Sequence, residues 1–474
     1  MSANSRSRAI SAAAVRERIC HIESKHDLLQ YMVDGWCVWP LLRTQVAVRL
    51  ANHPLVGNKH LTRRKRLSMA VQDACRLSRV RRARYVVESY LSARGEQEGG
   101  LFKDHFFDDL LREIGEYFKI ESLNNKAFLP RSDAALIRSD LTTSLFELVS
   151  GFLARTGCAG RVRTVAESLS QCLHQELGPN ALTSGAIERT ILRFLWAKRL
   201  YSWLLKRIDP EFLLVADPGE HDIVAAAKER GVVAIEFQHG FVDRNHSSYS
   251  WSAYAARFRR CMPIPDRLFI YGTHWEEELV ATGFWREEIC VVGSPRIDQY
   301  RAVRSTAEPM KDIALVVTAQ GTDSEALIAF LLAFLSLVGT PLPFHLYVKL
   351  HPVYDTSRQP YDAAFLPHRN VHVLLGSEPP STFELLARAH LHASIASTCH
   401  YEALGLGVPT VILPLSGYEN VLHLYHSGHA FLAQTPRDLS DIVQRLHNMN
   451  APVCSADHYF RPDAIENIKR ELGL

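Results

Sequence analysis

The sequence predicts an α/β protein built from two doubly wound domains that face each other. From Phe212 onward, short apolar runs alternate with helical stretches, which is the pattern of parallel sheets with crossover helices. A length of 474 residues, 47% of them hydrophobic, suits two or three domains with a sizeable core and excludes a mainly disordered chain. The polar segment 300–311 interrupts the alternation and is interpreted as an interdomain linker.

The elements follow from these patterns. The first 210 residues read mainly as helical tracts, and the run 84–90 is the one clear strand signal there. The capping boxes Thr322-x-x-Glu325 and Ser381-x-x-Glu384 predict two helix starts in the second half. We expect strands at 212–216, 232–237, 267–271 and 289–292, and a second series at 313–318, 345–350, 371–375, 391–396 and 410–413.

The charge pattern limits the partners. A formal net charge of +3 is too balanced for nucleic-acid binding through the whole surface. The stretch 59–84, however, holds ten Lys and Arg residues and one acid. It is interpreted as a solvated helix face, as a docking face for anionic membrane lipid or an anionic polymer, or as an RNA contact.

Several patterns bear on compartment and cofactors. Nine cysteines without a C-x-x-C pair or zinc-site spacing predict reduced thiols in the cytoplasm. The N-terminus lacks a continuous apolar signal region, and the longest apolar run, 327–338, is shorter than the roughly 20 residues of a spanning helix, so we expect no membrane crossing. No two aspartates are separated by one residue, and we expect neither a metal nor another cofactor.

Polar residues that directly follow predicted strands are the first candidates for a site, because open α/β sheets bind ligands beyond the carboxyl ends of their strands. Gln238, His239 and Gly240 follow the strand 232–237. A neutral imidazole there can take a proton from an attacking hydroxyl, and the alternative is a simple turn. Asp217 and Glu220 follow the strand 212–216 and are a rival base or a partner for His239.

In the second half, two further loops are candidates for a phosphate site. Thr318, Gln320, Gly321 and Thr322 form a strand end and a glycine-containing loop before a helix start, which is a geometry that can wrap a diphosphate. Residues 349–352, Lys-Leu-His-Pro, end another strand. His351 can donate to a phosphate or ribose oxygen, with Lys349 as a point charge and Pro352 fixing the chain exit; a rigid turn is the alternative.

The last candidate loop is rich in hydroxyl groups. Ser394, Ser397 and Thr398 follow a strand and lead into a helix, whose free N–H groups favour phosphate. An ordinary N-cap pair is the alternative interpretation. Glu402, about one turn into the helix, is a candidate acceptor for ribose hydroxyls.

In this order the motifs resemble those of the GT-B glycosyltransferase group, which includes CDP-glycerol glycerophosphotransferases, bacterial polysialyltransferases and capsule transferases. Residues 238–240 look like the His-Gly segment of the glycerophosphotransferases, and 292–298, Val-Gly-Ser-Pro-Arg-Ile-Asp, like their Gly-x-Pro-Arg-x-Asp segment. Residues 349–352 look like the His-Pro motif, and 394–398 like the serine-rich motif that holds the donor phosphate. The resemblance covers about residues 212–414.

The resemblance implies two facing Rossmann-like domains. Residues 1–303 would form the acceptor-side domain, with helical additions at about 15–80 and 135–208, and 304–474 the nucleotide-donor domain, whose last helix crosses back. His239 would be the base, with Gln238, Gly240 and Arg296 on the acceptor side. Gln238 and Ile395-Ala396 stand where the glycerophosphotransferases carry Trp and Asp-Tyr, which favours a sugar donor over glycerol phosphate.

The function implied is metal-independent transfer of a sugar from a CMP-, CDP- or UDP-linked donor to a cell-surface polysaccharide or glycolipid, on the cytoplasmic side of the cell membrane. No nucleic-acid partner is expected. A sugar-nucleotide epimerase on the same fold and a non-catalytic nucleotide- or glycan-binding component of capsule assembly are the alternatives. The early stretch 31–43 is similar to an N-terminal segment of predicted polysaccharide-synthesis proteins; its aromatic residues are expected in the core.

Overall fold

The chain divides into two compact units, 1–292 with 468–474, and 293–467. A computed structural model is the basis of the description. It describes residues 11–51, 63–122, 134–157, 160–306, 313–321, 323–338, 344–352, 354–355, 357–376, 378–446 and 456–474.

The first unit combines a parallel sheet with a large set of helices. Its helices are α1 Ala12–Lys25, α2 Pro40–Leu50, α3 Arg63–Arg76, α4 Asp108–Ile114, α5 Ser144–Thr156, α6 Gly160–Leu177, α7 Ser184–Ile208, α8 His221–Glu229 and α9 Thr273–Val280. Its strands are β1 Met32–Val33, β2 Trp36–Cys37, β3 Tyr85–Tyr90, β4 Arg94–Glu98, β5 Leu101–Asp104, β6 Tyr117–Ser122, β7 Leu141–Thr142, β8 Phe212–Val215, β9 Val233–Phe237, β10 Arg267–Ile270 and β11 Ile289–Val291.

The main sheet of this unit has the order β11-β10-β9-β8-β3-β6-β7, and every pair in it is parallel. β6 and then β7 follow β3 on one side, and β8 to β11 continue in order on its other side, which is the doubly wound arrangement. The direction of winding reverses between β3 and β8. Since ligands bind beyond the strand ends at such a reversal, the carboxyl edge of this sheet is where a site is expected.

The second unit is a smaller doubly wound domain. Its helices are α10 Pro295–Thr306, α11 Ser324–Val338, α12 Gln359–Phe365, α13 Thr382–Arg388, α14 Cys399–Gly405, α15 His423–His426, α16 Pro436–Arg445 and α17 Ala456–Tyr459, and α18 Ala464–Glu471 follows. Its strands are β12 Ile313–Thr318, β13 Phe344–Lys349, β14 Val371–Leu374, β15 Leu391–Ser394, β16 Thr410–Ile412 and β17 Phe431–Leu432.

The sheet of the second unit has the order β14-β13-β12-β15-β16-β17, again with all pairs parallel. Numbered from β12, this is the 3-2-1-4-5-6 order of dinucleotide-binding folds. The strand β12, Ile-Ala-Leu-Val-Val-Thr, is nearly continuously apolar because helices cover both of its faces. Leu327, Phe330 and Phe334 of α11 pack into this core, so the apolar run 327–338 is a buried helix face.

The strands that the sequence predicted are present, with ends that differ by one or two residues. Ser381 and Glu384 form the predicted capping box of α13, and Thr322, of the other predicted box, lies outside the described residues. The predicted linker was wrong over 300–306, which continue helix α10. The unit boundary lies after Val292, whereas the sequence analysis placed the domain boundary at 303/304. Within the described ranges, no helix is both long and apolar enough to cross a membrane.

Candidate active site

In the first unit, the predicted site residues lie on the loops at the carboxyl ends of two neighbouring strands. β8 pairs with β9 in parallel, with Val215 opposite Glu236. Asp217 and Glu220 follow β8, and His239 follows β9. The side chain of His239 is partly exposed, so a solvent-borne hydroxyl can reach it.

Gln238 fixes the turn that carries His239. It is fully buried, its Nε2 donates to the carbonyl oxygen of Gly240 at 2.8 Å, and its Oε1 accepts from the backbone N–H of Tyr271 at 2.9 Å. The amide therefore ties the end of β9 to the end of β10. A Cβ at Gly240 would meet open space. Gln238 thus stabilises the turn, because both polar atoms of its side chain form hydrogen bonds within the protein.

The two candidate acids have different surroundings. Asp217 Oδ1 accepts from the N–H of Gly219 at 2.7 Å and closes a tight turn. Glu220 lies against Glu88, the buried acid of β3. Burial, followed by the charge of Glu88, raises the pKa of Glu220 well above its usual range. Burial likewise raises the pKa of Glu88, so the two hydrogen-bonded carboxyls differ from ordinary surface acids.

In the second unit, the reversal of winding lies between β12 and β15, and two predicted residues face each other there. Thr318 is paired with Ser394, whose hydroxyl donates to the Thr318 carbonyl at 2.7 Å. Thr318 Oγ1 is 3.0 Å from Nε2 of the buried His392. Both hydroxyls are buried and take part in these bonds, so Thr318 and Ser394 join the two strands below the sheet edge.

Four predicted residues lie beyond those strand ends. Gln320 Oε1 accepts from the N–H of Ala396 at 3.3 Å, which links the loop after β12 to the loop after β15. Ser397 Oγ accepts from the N–H of Cys399 at 3.2 Å, and the Ser397 hydroxyl also forms a hydrogen bond with the Cys399 thiol. Thr398, at the start of α14, is exposed, and Glu402 is half-buried. The structure therefore brings Gln320, Ser397 and Thr398 to one sheet edge.

The loop after β13 orients His351. Its ring Nδ1 accepts from the backbone N–H of Tyr354 at 3.2 Å, and the backbone N–H of His351 donates to Asp355 Oδ2 at 2.8 Å. Because Nδ1 is an acceptor, the proton of the neutral ring lies on Nε2, which is then a donor. Pro352 is exposed in the same loop. Gly321, with φ +71°, packs against Tyr354 and connects this loop to the one after β12.

Lys349 has a structural role. Its side chain is buried, and Nζ donates to the carbonyl oxygens of Leu375 at 2.8 Å, Pro380 at 2.9 Å and Glu378. An ammonium group has three N–H donors, so all of them are used. Burial lowers the pKa of Lys349. We therefore leave Lys349 out of the set of donor-binding residues.

Two further predicted residues have other locations. Arg296 was predicted on the acceptor side, but it belongs to the second unit, where its guanidinium stacks on Phe383 with 3.7 Å from Cζ to the ring centroid. Thr322 lies outside the described residues. Over the described part of the chain, no group of three or more His, Cys, Asp or Glu side chains is placed to hold a metal ion.

The sequence analysis missed Glu236 and Tyr249. The Tyr249 hydroxyl donates to Glu236 and lies 3.5 Å from His239 Nδ1. Glu236 carried a signal, since a glutamate inside the apolar strand Val-Ala-Ile-Glu-Phe is unusual and calls for a buried partner. Tyr249 carried none, because its position depends on the tertiary path of the loop after residue 240.

Comparison with known proteins identifies the fold. No protein-family model matches the chain, and no curated protein is significantly similar in sequence. A putative UDP-N-acetylglucosamine 2-epimerase from Listeria monocytogenes is 13% identical over 82% of this chain and 97% of that chain, with a TM-score of 0.51. UDP-GlcNAc 2-epimerase from Methanocaldococcus jannaschii is 13% identical over 82% and 98%, with a TM-score of 0.50. MurG from Acinetobacter baumannii is 13% identical over 82% and 99%, with a TM-score of 0.46.

The first two likenesses show the fold, which consists of two Rossmann-like domains of the GT-B type. The predicted fold class is thereby confirmed, since these neighbours have the GT-B fold that the sequence motifs predicted.

Proposed function

We propose that the protein is a metal-independent glycosyltransferase of cell-envelope polysaccharide synthesis. It moves a sugar from a CMP-, CDP- or UDP-linked donor to a cell-surface polysaccharide, such as a capsule, or to a glycolipid. The observation that carries the proposal is the convergence of Gln320, Ser397 and Thr398 at the winding reversal of the second sheet. In doubly wound folds this is the place where nucleotides bind.

The donor phosphate would be held by neutral hydrogen-bond donors. His351 presents Nε2–H, and Ser397 and Thr398 present hydroxyl groups at the same carboxyl edge. Charge builds on the leaving phosphate as the bond to the anomeric carbon breaks, and donors already fixed in place stabilise that charge without reorganisation. Glu402 is proposed to accept from the ribose hydroxyls.

His239 is the proposed base. Its ring takes the proton of the acceptor hydroxyl, the oxygen forms a bond to the anomeric carbon, and the nucleotide leaves with the electron pair of the broken bond. We prefer His239 to Glu220 because Glu220 forms a hydrogen bond with the buried acid Glu88. Asp217 is proposed as an electrostatic partner of His239.

An anionic membrane surface is the proposed peripheral partner of the basic stretch. Within it, α3 exposes Arg64 and Lys65 together with Leu67 and Val71, which are each 57% exposed. Leu67 and Val71 are one helical turn apart and lie on the same face. Apolar groups beside cations suit the boundary between headgroups and acyl chains.

Epimerisation of a sugar nucleotide is the second candidate, since the two solved structures with TM-scores of 0.50 and 0.51 are described as 2-epimerases. Donor and protein alone distinguish the two reactions, because an epimerase needs no acceptor. A non-catalytic binding component would bind a nucleotide and convert no donor under either condition.

The experiment has two steps. A thermal-shift panel of CMP, CDP and UDP identifies the base of the donor, because a ligand of the folded state raises Tm by mass action. Transfer from sugars linked to that nucleotide is then measured for wild type and His239→Ala. We expect the variant to lose roughly 100-fold or more in kcat while its nucleotide affinity is unchanged.

His21→Ala is the matched control, since His21 is an exposed histidine of the same unit. It should transfer at the wild-type rate. Near-normal turnover by His239→Ala would remove His239 as the base, and failure of all three nucleotides to bind would remove the proposed function.

A further inference from the structure

A buried tyrosine connects the proposed base to a buried acid. Glu236 is 1% exposed and points from β9 into the unit, and the hydroxyl of Tyr249 donates to its Oε1. On its other side, the same hydroxyl lies 3.5 Å from Nδ1 of His239. Nδ1 is the ring nitrogen that faces the protein in this arrangement. The three side chains therefore form a short chain from the interior to the partly exposed imidazole.

Arg43 holds the loop that carries Tyr249. Its guanidinium is 1% exposed, donates to the carbonyl of Ser247 and to the carbonyl of Ser250 at 3.0 Å, and stacks on Trp251 with Cζ 4.1 Å from the ring centroid. These contacts flank Tyr249 on both sides in sequence. The 31–43 stretch, to which the sequence analysis assigned no chemistry, thus supplies the residue that fixes the loop.

The anchor is itself fixed. Arg43 Nε donates to Glu23 Oε1 at 2.6 Å, and the same oxygen accepts from Trp39 Nε1 at 2.7 Å. The backbone of Tyr249 is held as well, because Trp285 Nε1 donates to its carbonyl at 2.8 Å. A side chain with this many restraints on its loop is pre-organised, as a residue that positions a catalytic group must be.

The direction of the hydrogen bonds follows from a simple count of protons. The hydroxyl of Tyr249 has a single proton, and burial raises its pKa so that the proton stays. When Glu236 is ionised, Tyr249 must donate to it, so its oxygen can only accept from His239. The ring proton is then on Nδ1, and the lone pair of the neutral ring is on Nε2.

A neutral Glu236 also permits the reverse direction. Its carboxyl proton can point to the Tyr249 oxygen, whose own proton then points to Nδ1, and the ring proton moves to Nε2. In that tautomer Nε2 cannot accept a proton from an acceptor hydroxyl. An ionised Glu236 therefore fixes the outer nitrogen as a base, whereas a neutral Glu236 leaves both tautomers available.

We infer that Glu236 and Tyr249 are positioning residues that select the base-competent tautomer of His239. The inference rests on the proposed function in one respect, which is that His239 acts as the base. The coupling between the three side chains is itself a property of the folded protein and is measurable without substrate.

The pKa of the acid predicts the pH range of the effect. Burial raises the pKa of Glu236 to about 8, against the opposing effect of the Tyr249 hydrogen bond and with a further increase from Asp217. The titratable groups that face the pair are Asp217 after β8, His239 after β9, His246 and Tyr90 of β3. The ring centroid of His246 is 5.0 Å from that of Tyr249, and its charge acts on His239. The base-competent tautomer is therefore favoured as the pH rises through about 8.

The first experiment is a pH titration of the full-length protein labelled with ¹⁵N-histidine. Nitrogen shifts distinguish the two tautomers, and the missing signals of His239→Gln assign the residue. In wild type we expect the Nδ1–H form to gain population as Glu236 ionises. In Glu236→Gln the tautomer should lose this pH dependence, since glutamine does not titrate and offers both a donor and an acceptor. Tyr249→Phe, which removes the connecting hydroxyl alone, should abolish it as well.

Tyr201→Phe is the matched control. Tyr201 is another buried tyrosine of this unit, and its hydroxyl donates to a different buried glutamate, Glu88, at 3.5 Å. It should leave the tautomer of His239 and its pH dependence unchanged. A tautomer that responds to pH equally in wild type and in both test variants overturns the inference, and so does an equal change in Tyr201→Phe.

The second experiment measures transfer as a function of pH. In Glu236→Gln and Tyr249→Phe we expect kcat to fall by at least about 10-fold, with the KM of the donor unchanged and the inflection near pH 8 lost. A normal pH profile in both variants contradicts the inference but leaves the His239→Ala result standing. Conversely, a protein that transfers no sugar still gives the tautomer measurement, so the two proposals fail separately.

Discussion

A Cβ built on Gly321 would lie 2.5 Å from the Cβ of Tyr354, and the backbone of Gly321 has φ +71°. The loop after β12 and the loop after β13 therefore touch at a point where only glycine fits. The N–H of Tyr354 in turn orients His351. This contact sets the spacing of two loops that the proposed donor site uses.

Replacing that glycine should therefore disturb both stability and nucleotide binding. Gly321→Ala combines a left-handed backbone with a clash, and we expect it to lower stability by about 1–3 kcal/mol more than Gly407→Ala does. Gly407 has φ +69° with nothing within 4 Å of its Cβ, so the pair isolates the clash. Thermal unfolding measures the first effect and nucleotide titration the second. Equal losses in the two variants would show that the contact with Tyr354 does not matter.

The Arg43 anchor predicts a large stability effect. Arg43→Met leaves the buried carboxylate of Glu23 without its cation, which should cost about 3–5 kcal/mol. Glu23→Gln combined with Arg43→Met should recover part of the loss, because the uncompensated charge is removed. Calorimetric Tm values compare the three proteins. Hydrogen exchange should increase in 246–251 in both Arg43 variants, and unchanged exchange there would contradict the anchoring role.

The raised pKa of Glu236 predicts how stability changes with pH. The unfolded carboxyl ionises near 4.5, whereas the folded one keeps its proton up to about 8. The proton-bound form therefore stabilises the fold fully below about 4.5, and this contribution is lost as the pH rises through about 8. Glu236→Gln does not titrate, so its free energy of unfolding relative to wild type should rise between these pH values, by an amount on the order of 5 kcal/mol. A constant difference across the range would argue against a buried, titrating Glu236.

Lys349 and His351 lie close in sequence and should respond differently to substitution. Lys349→Met leaves the carbonyls of Leu375, Glu378 and Pro380 without their donor, at about 1–3 kcal/mol for each buried group, so Tm should fall clearly. His351→Ala should keep nearly the wild-type Tm and lose nucleotide affinity. Isothermal titration and thermal unfolding of both variants make the comparison. Wild-type stability of Lys349→Met would return this lysine to the candidate donor-binding set.

The proposed membrane face predicts lipid-dependent binding. Leu67→Gln combined with Val71→Gln should weaken co-sedimentation with vesicles that contain phosphatidylglycerol, because these two exposed apolar side chains would enter the interface. Leu366→Gln in the second unit is the control, since Leu366 is 84% exposed and lies outside the basic stretch. Equal binding of neutral and anionic vesicles by wild type would contradict the electrostatic part of the proposal.

The sequence predicted those parts of the fold that depend on local pattern. Short, nearly continuous apolar runs such as those of β12 and β9 are typical of buried parallel strands, so the sequence alone predicts them. It missed β6 because that strand carries the buried Lys119, which is paired with Asp104 at 2.9 Å and with Asp108 at 2.6 Å. Charged residues that are neutralised by distant partners read as surface residues when the sequence is taken alone.

The same limit applies to the candidate site. The strand-end rule located His239, Gln320 and Ser397 at sheet edges, because that rule depends on order along the chain. Lys349 also lies at a strand end, yet its ammonium group donates to three carbonyl oxygens of a later loop. Arg43 contacts the loop that carries Tyr249 across a separation of about 200 residues, and no short motif records such a contact.

The last seven residues, 468–474, belong to the first unit, whereas the 175 residues before them form the second unit. Arg267 of β10 reaches the carbonyl and the carboxylate of Glu471, so this short tail completes the edge of the first unit. A fragment that stops at Val292 would be made without it. The division at 467/468 also falls inside helix α18, Ala464–Glu471, so anyone who expresses the units separately should keep this helix whole and supply it to the first unit as a peptide or a fusion.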